Sequence, residues 1–189
     1  MELSDEQKEF VRKALLFECN LTLQAVPGSG KTTTLIQIQK QIQNSVALTY
    51  SAKLKTEWRQ KCSANIHSFH SFGLFCSNFC NYKKKLHSIF DDKALRKLLK
   101  QVPVRQLPQY DVCLIDEVQD MNALHFALLK WYHEHSGSNM FFVLVGQAQQ
   151  CIYTYKSGDE KADLDFLLKP HEKFASITNR EWQNHRLTK

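Results

Sequence analysis

Hydrophobic and polar positions along the first fifty residues alternate between two rhythms. From Ser4 to Phe17, Phe10, Val11, Ala14 and Leu15 fall on one face at helical spacing. Ser4 followed three residues later by Gln7 forms a capping box, which marks a helix start. Leu21–Ala25 is a short apolar run ahead of a glycine turn and predicts a buried strand. Thr32–Ile42 predicts a helix with Leu35, Ile38 and Ile42 on one stripe, and Val46–Tyr50 predicts a second buried strand. Helix, strand, helix, strand is the signature of an α/β fold.

Further along, Ala64–Phe69 predicts a third strand and Phe72–Phe79 an aromatic helix. The composition then changes. Tyr82–Gln101 carries Lys83, Lys84, Lys85, Lys93, Arg96, Lys97 and Lys100, with Leu95, Leu98 and Leu99 at helical spacing, and Pro103 and Pro108 close it off. Asp111–Ile115 and Phe141–Val145 predict buried strands separated by a helix over Asn122–His133. From Phe174 onward the pattern predicts a brief apolar strand and then a polar tail. Internal repeats and low-complexity tracts are absent from the sequence.

A length of 189 residues suffices for one domain with a sizeable core, and a hydrophobic content of 43% excludes global disorder. The net charge of +6 and pI of about 9.0 favour an anionic partner without choosing among nucleic acid, nucleotide and membrane. No apolar run is long enough to cross a bilayer, and the acidic, amphipathic Met1–Phe10 is unlike a signal peptide, so a soluble intracellular protein is expected. Cys19, Cys62, Cys76, Cys80, Cys113 and Cys151 form no C-x-x-C pair and read as reduced thiols filling the core. A metal or iron–sulfur role for Cys76 and Cys80, which lie near histidines, is the minor alternative.

The chemistry is concentrated in two segments. Ala25-Val-Pro-Gly-Ser-Gly-Lys-Thr32 follows a predicted strand and opens a predicted helix, the context a phosphate loop requires. Gly28 and Gly30 let the backbone wrap a phosphate, and the turn's N–H groups with the helix N-terminus supply partial positive charge. Lys31 is expected on the β and γ phosphates of ATP and the Thr32 hydroxyl on Mg2+, with Ala25, Ser29 and Thr33 completing the nucleotide-binding set. Ala25 stands where the strictest pattern has glycine. A phosphate loop also needs one carboxylate for the metal and another for water. Val112–Ile115 is a strand-like run, and Asp116 and Glu117 follow at its carboxyl end. Asp116 is expected to hold Mg2+ and Glu117 to act as general base.

Together with further segments, these motifs resemble the UvrD/Rep/PcrA group of superfamily 1 DNA helicases over nearly the whole chain. Asp116-Glu-Val-Gln-Asp120 is close to that group's DExQD form. The resemblance implies the following roles. Gln7, in Leu3–Val11, matches the glutamine that reads adenine, with a helix-capping role as the lesser alternative. Tyr50 and Lys53 match positions that meet single-stranded DNA, with Ala52 replacing the usual asparagine; Tyr50 otherwise reads as a core residue at a strand end. Ser68 and His70 match the next DNA-facing motif, His70 being alternatively a core histidine. Gln150 falls on the γ-phosphate sensor, Gln147 replaces an aspartate, and Tyr153 is either near the DNA path or core. Arg186 lands on an arginine of the γ-phosphate, and His185 replaces an adenine-stacking tyrosine.

The resemblance further implies a RecA-like phosphate-loop core, a mostly parallel sheet flanked by helices, as a single domain over 1–189. Residues 74–109 stand where the family inserts a large helical subdomain, and their lysines either track a DNA backbone or form a solvated face. Family members carry a second RecA-like domain that completes the ATP cleft, and translocation needs both. This chain alone is therefore expected not to unwind DNA. It is read as a motor domain that couples ATP hydrolysis to translocation when joined to a second domain in the same chain or a separate subunit. The alternatives are a stand-alone accessory module binding ATP and single-stranded DNA with little turnover, and a phosphate-loop ATPase unrelated to DNA.

Overall fold

A computed structural model describes residues 3–50, 52–62, 65–81, 90–148 and 161–187, and of residues 52 and 53 the backbone alone. The elements run α1 (Asp5–Ala14), β1 (Asn20–Ala25), α2 (Lys31–Gln41), β2 (Ser45–Thr49), α3 (Ala52–Lys61), β3 (Asn65–Ser68), α4 (Phe69–Ser77), α5 (Asp92–Leu98), β4 (Val112–Ile115), α6 (Ala123–Ser136), β5 (Phe141–Gly146), α7 (Asp165–Leu168), α8 (Pro170–Lys173) and β6 (Trp182–Leu187). The six strands form one sheet in the order β3-β2-β4-β5-β1-β6. Every pairing is parallel. This is the expected RecA-like α/β core.

Burial follows strand parity. In β5, Phe141, Val143 and Val145 point to one face and Phe142 and Leu144 to the other; β4 splits likewise into Val112 and Leu114 against Cys113 and Ile115. The first face is covered by α1, α2 and α3 through Phe10, Val11, Leu35, Ile38 and Trp58. The second is covered by α4 to α7 and by the turns after α8, through Phe72, Leu95, Leu128, Tyr132, Phe166 and Phe174. Strands buried on both faces read as continuous apolar runs, which is why β2, β4 and β5 were recognisable as such.

Local sequence sets several boundaries. The Ser4–Gln7 capping box is present in both directions at the start of α1. The helix ends at Ala14 and not at Phe17, whose backbone turns left-handed (φ 56°). Ser68 caps α4, so that helix begins at Phe69, three residues earlier than the aromatic spacing predicts. Asn122 caps α6 and left-handed Gly137 stops it. The α3 helix had no prediction of its own, although Leu54 and Trp58 stand four residues apart and Trp58 is fully buried. Of the lysine-rich stretch, α5 is described; residues 82–89 and the start of the predicted third strand lie outside the described residues.

The carboxyl-terminal prediction needs correction. Phe174–Ile177 forms turns after α8, and the strand comes later as β6, where a polar tail was expected. As an edge strand, β6 shows most of its polar side chains to solvent and draws its order from backbone pairing with β1, so it lacks an apolar run.

Asn20 ties this edge together. Fully buried, its Oδ1 accepts from the Phe142 N–H at 2.9 Å and its Nδ2 donates to Thr178 Oγ1 at 3.3 Å. Asn20→Ala strands a buried donor and is expected to cost about 1–3 kcal/mol in urea denaturation. An unchanged midpoint would show that this side chain holds nothing.

Candidate nucleotide site

Parallel strands share one polarity, so their carboxyl ends line a single edge, where open α/β sheets bind ligands. Ala25, Thr49, Ser68, Ile115, Gly146 and Leu187 end the strands there.

The loop between β1 and α2 is Val26–Gly30. Gly28 (φ 77°) and Gly30 (φ 81°) adopt the left-handed backbone the turn needs. The Ser29 hydroxyl donates to the Val26 carbonyl at 2.7 Å, and buried Ala25 packs into the core below. The Gln7 amide latches α1 onto this loop. Its Nε2 donates to the carbonyls of Ser29 (3.0 Å) and Gly30 (3.3 Å), while its Oε1 accepts from the Ser4 N–H at 2.8 Å. A Cβ on residue 30 would lie 2.4 Å from Gln7 Nε2, so the latch closes only over glycine. Gln7 thus serves the helix cap and the loop together, and its polar atoms face the chain itself.

The first turn of α2 presents Lys31, Thr32 and Thr33. Lys31 is 8% exposed, and its Nζ donates to Gln147 Oε1 at 3.4 Å. The Thr32 hydroxyl donates to Asp116 Oδ2 at 2.9 Å. Asp116 follows β4 and is fully buried; its Oδ1 accepts from the Glu117 N–H at 3.0 Å. Burial, and then the Glu117 charge, push the Asp116 carboxyl up to about 7, against the downward pull of Thr32, the Glu117 N–H and Lys31.

Glu117 has a left-handed backbone (φ 53°, ψ 45°), which costs energy in any residue but glycine and concentrates at functional sites. A 3-10 turn, Val118–Asp120, follows. Gln119 Nε2 donates to Glu117 Oε2 at 2.7 Å, and Gln119 Oε1 accepts from the Gln147 N–H at 3.0 Å. Asp120 Oδ1 is buried without a hydrogen-bond partner among the described residues, and burial, then the Glu117 charge, push that carboxyl up to about 7.

On β6, the His185 ring meets Phe10 edge-on with centroids 5.3 Å apart, and burial depresses its pKa. Arg186 is exposed, level with Gln24 of β1 in the register.

The residues matched to DNA contacts gather beyond β2 and β3. The Tyr50 hydroxyl bonds His125 Nδ1, and the rings meet edge-on at 5.1 Å. Ser68 Oγ caps α4 by accepting from the Ser71 N–H at 3.2 Å. His70 Nε2 lies 2.7 Å from Asp92 Oδ1. His125 is pushed down to about 3, chiefly by burial. The Lys53 backbone lies in α3. Gln150, Tyr153 and Cys151 lie outside the described residues.

The structure therefore brings together Gln7, the loop glycines, Ser29, Lys31, Thr32, Asp116 and Glu117, and sets Tyr50, Ser68 and His70 in a separate group on the same edge. Sequence reasoning gave no role to Gln119, although it lies within the acidic motif, or to His125 and Asp92. Cys76 and Cys80 are buried, with the Cys80 thiol directed at the Cys76 carbonyl at 3.9 Å. Among the described residues no group of three or more His, Cys, Asp or Glu is placed to hold a metal. Nor is any described helix long and apolar enough to cross a membrane.

Chemically, Thr32 and Asp116 offer a hard divalent cation two oxygens beside a glycine cradle and an ammonium, a donor set that suits Mg2+ with a triphosphate. Comparison with solved structures shows the same fold in Pif1 helicases. Bacteroides Pif1 in complex with ADP-AlF3 and single-stranded DNA is 17% identical, with a TM-score of 0.54 over 100% of this chain and 42% of that one. Candida albicans Pif1 is 15% identical, with a TM-score of 0.53 over 100% and 41%. A Pif1 structure addressing DNA unwinding at forked duplexes by two coordinating helicases is 14% identical, with a TM-score of 0.53 over 100% and 44%. The chain thus spans about two fifths of the length of these helicases. No curated protein matches it. A family model described as an AAA domain, AAA_19, matches residues 7–156, a span that contains the phosphate loop and the acidic motif, and the chain belongs to that family.

Proposed function

We propose that this chain is the ATP-binding motor domain of a superfamily 1 DNA helicase of the UvrD/Rep/PcrA type. Joined to a second RecA-like domain, it couples ATP hydrolysis to movement along single-stranded DNA. The observation that carries the reading is the hydrogen bond between Thr32 and Asp116, which sets a metal-binding hydroxyl and carboxylate side by side at the mouth of a phosphate loop. The Pif1 structure with ADP-AlF3 and single-stranded DNA supports both ligands for a domain of this fold.

In this reading Lys31 leaves Gln147 for the β and γ phosphates, and the turn built on left-handed Gly28 and Gly30 cradles them. Thr32 and Asp116 hold Mg2+, which when bound offsets the phosphate charge. Glu117 orients and deprotonates the attacking water, and Gln150 and Arg186 respond to the γ-phosphate. Gln7 and His185 border the adenine, and Ala25 and Thr33 complete the loop's two ends. The resemblance assigns single-stranded DNA contacts to Tyr50, Lys53, Ser68, His70 and Tyr153, and residues 74–109 stand in for the family's inserted subdomain.

Phosphate release with excess protein over ATP tests the reading. Wild type binds and hydrolyses MgATP; Lys31→Ala loses binding, and Glu117→Gln binds but turns over at least about 100-fold more slowly. Equal ATP binding by wild type and Lys31→Ala would end the phosphate-loop reading. An oligo-dT strand is expected to change the ATP affinity or rate, and Tyr50→Ala to weaken that strand's binding by about 1–3 kcal/mol at unchanged ATP affinity. No response to the strand would remove the helicase reading and leave an ATPase.

The Asp116 carboxyl adds a pH prediction. Folded, it titrates near about 7; unfolded, near 3.8. Between those values the folded state holds the extra proton, so this residue's contribution to stability is present at low pH and lost as pH rises through about 7. In metal-free urea denaturation, Asp116→Asn is therefore more stabilising at pH 8 than at pH 5. An equal effect at both pH values would contradict the assignment.

A further inference from the structure

Four residues link the two chemical ends of the site. Lys31 Nζ donates to Gln147 Oε1 at 3.4 Å, the Gln147 N–H donates to Gln119 Oε1 at 3.0 Å, and Gln119 Nε2 donates to Glu117 Oε2 at 2.7 Å. Gln119 is 1% exposed and Gln147 4%. An amide has one accepting end and one donating end. Because the backbone N–H of Gln147 requires the accepting end, the donating end of Gln119 faces Glu117. The seat also depends on Gly146, where a Cβ would lie 2.5 Å from Gln119 Oε1. Glu117 itself sits on a left-handed backbone, so its carboxylate is aimed by a strained main chain and by one buried donor.

We infer that Gln119 is the positioning residue for the Glu117 carboxylate, with Gly146 and the Gln147 backbone as its seat. This rests on the reading of Glu117 as the group that activates water. The Gln147 side chain extends the hydrogen-bonded path to Lys31. Gln147 stands where the resemblance implies an aspartate. A neutral amide holds the ammonium by one hydrogen bond and leaves it available to phosphate, where a carboxylate would compete for it as a charge.

The test separates position from packing. Gln119→Met keeps the length and volume of the side chain and removes both hydrogen bonds. It is expected to lower kcat for ATP hydrolysis by about tenfold or more, as removal of a group that orients a reactive carboxylate does, with KM within about twofold of wild type. Gln119→Glu repels Glu117 when ionised but restores a donor when protonated. Its rate relative to wild type should therefore rise as pH is lowered from 8 to 6, which a purely structural role would not produce. Gly146→Ala is expected to reproduce the kcat loss. Wild-type kcat in Gln119→Met, or a ratio for Gln119→Glu flat with pH, overturns the inference and leaves the proposed function standing. MgATP binding without turnover above the Glu117→Gln background overturns the inference and the role of Glu117 together, but not the nucleotide site. Failure of wild type to bind MgATP removes the proposed function itself.

Discussion

A single hydrogen bond, from the Thr32 hydroxyl to Asp116 Oδ2, joins two loops 84 residues apart in sequence, and the geometry of the site depends on it. Its partners stand just past the carboxyl ends of β1 and β4, Thr32 in the first turn of α2 and Asp116 directly after β4, and β5 separates those strands in the sheet. Only a parallel arrangement brings the ends of both strands to one edge at the same height, so fold and site are one constraint. The bond also tempers the electrostatics, which burial dominates. Asp116 is fully buried, and that burial raises the energy of its charged form, while Thr32, the Glu117 N–H and the nearby Lys31 lower it.

Around that bond the polar groups are distributed so that a buried donor usually meets an acceptor. Gln7 joins α1 to the loop carbonyls, Asn20 joins β1 to β5, and Gln119 joins the acidic turn to the end of β5. Each is a glutamine or asparagine, whose amide offers a donor and an acceptor on separate atoms without carrying charge into the interior. Asp120 is one of several exceptions among the described residues, with Thr49 and His185 also near this edge: one of its carboxylate oxygens is buried without a partner, close to the strained Glu117. Strain and unsatisfied polarity therefore coincide on the acidic turn, as expected where chemistry is done.

The sheet was legible because its central strands are buried on both faces and appear as apolar runs; Val46–Leu48, Val112–Ile115 and Phe141–Val145 carry their own signal. The edge strand β6 was not legible, since Gln183, Asn184 and Arg186 are exposed and its order comes from backbone pairing, which leaves no pattern in side chains. The phosphate loop and acidic pair were legible because their residue types are dictated by phosphate and metal chemistry at fixed spacing. Gln119 and His125 were not, because a buried partner is chosen by three-dimensional proximity. The assignment of Gln7 was split between cap and adenine, and its amide geometry shows the cap and a contact with the loop.

In the proposed function Thr32 and Asp116 act together in binding a metal–nucleotide pair. A double-mutant cycle on MgATP affinity, with Thr32→Ala, Asp116→Asn and the combined variant measured by calorimetry beside ATP without Mg2+, tests this most directly. Mg2+ should strengthen ATP binding to wild type, each single change should remove most of that gain, and the double variant should bind no worse than the weaker single one. Full Mg2+ dependence in both single variants, or losses that simply add, would contradict a shared metal site.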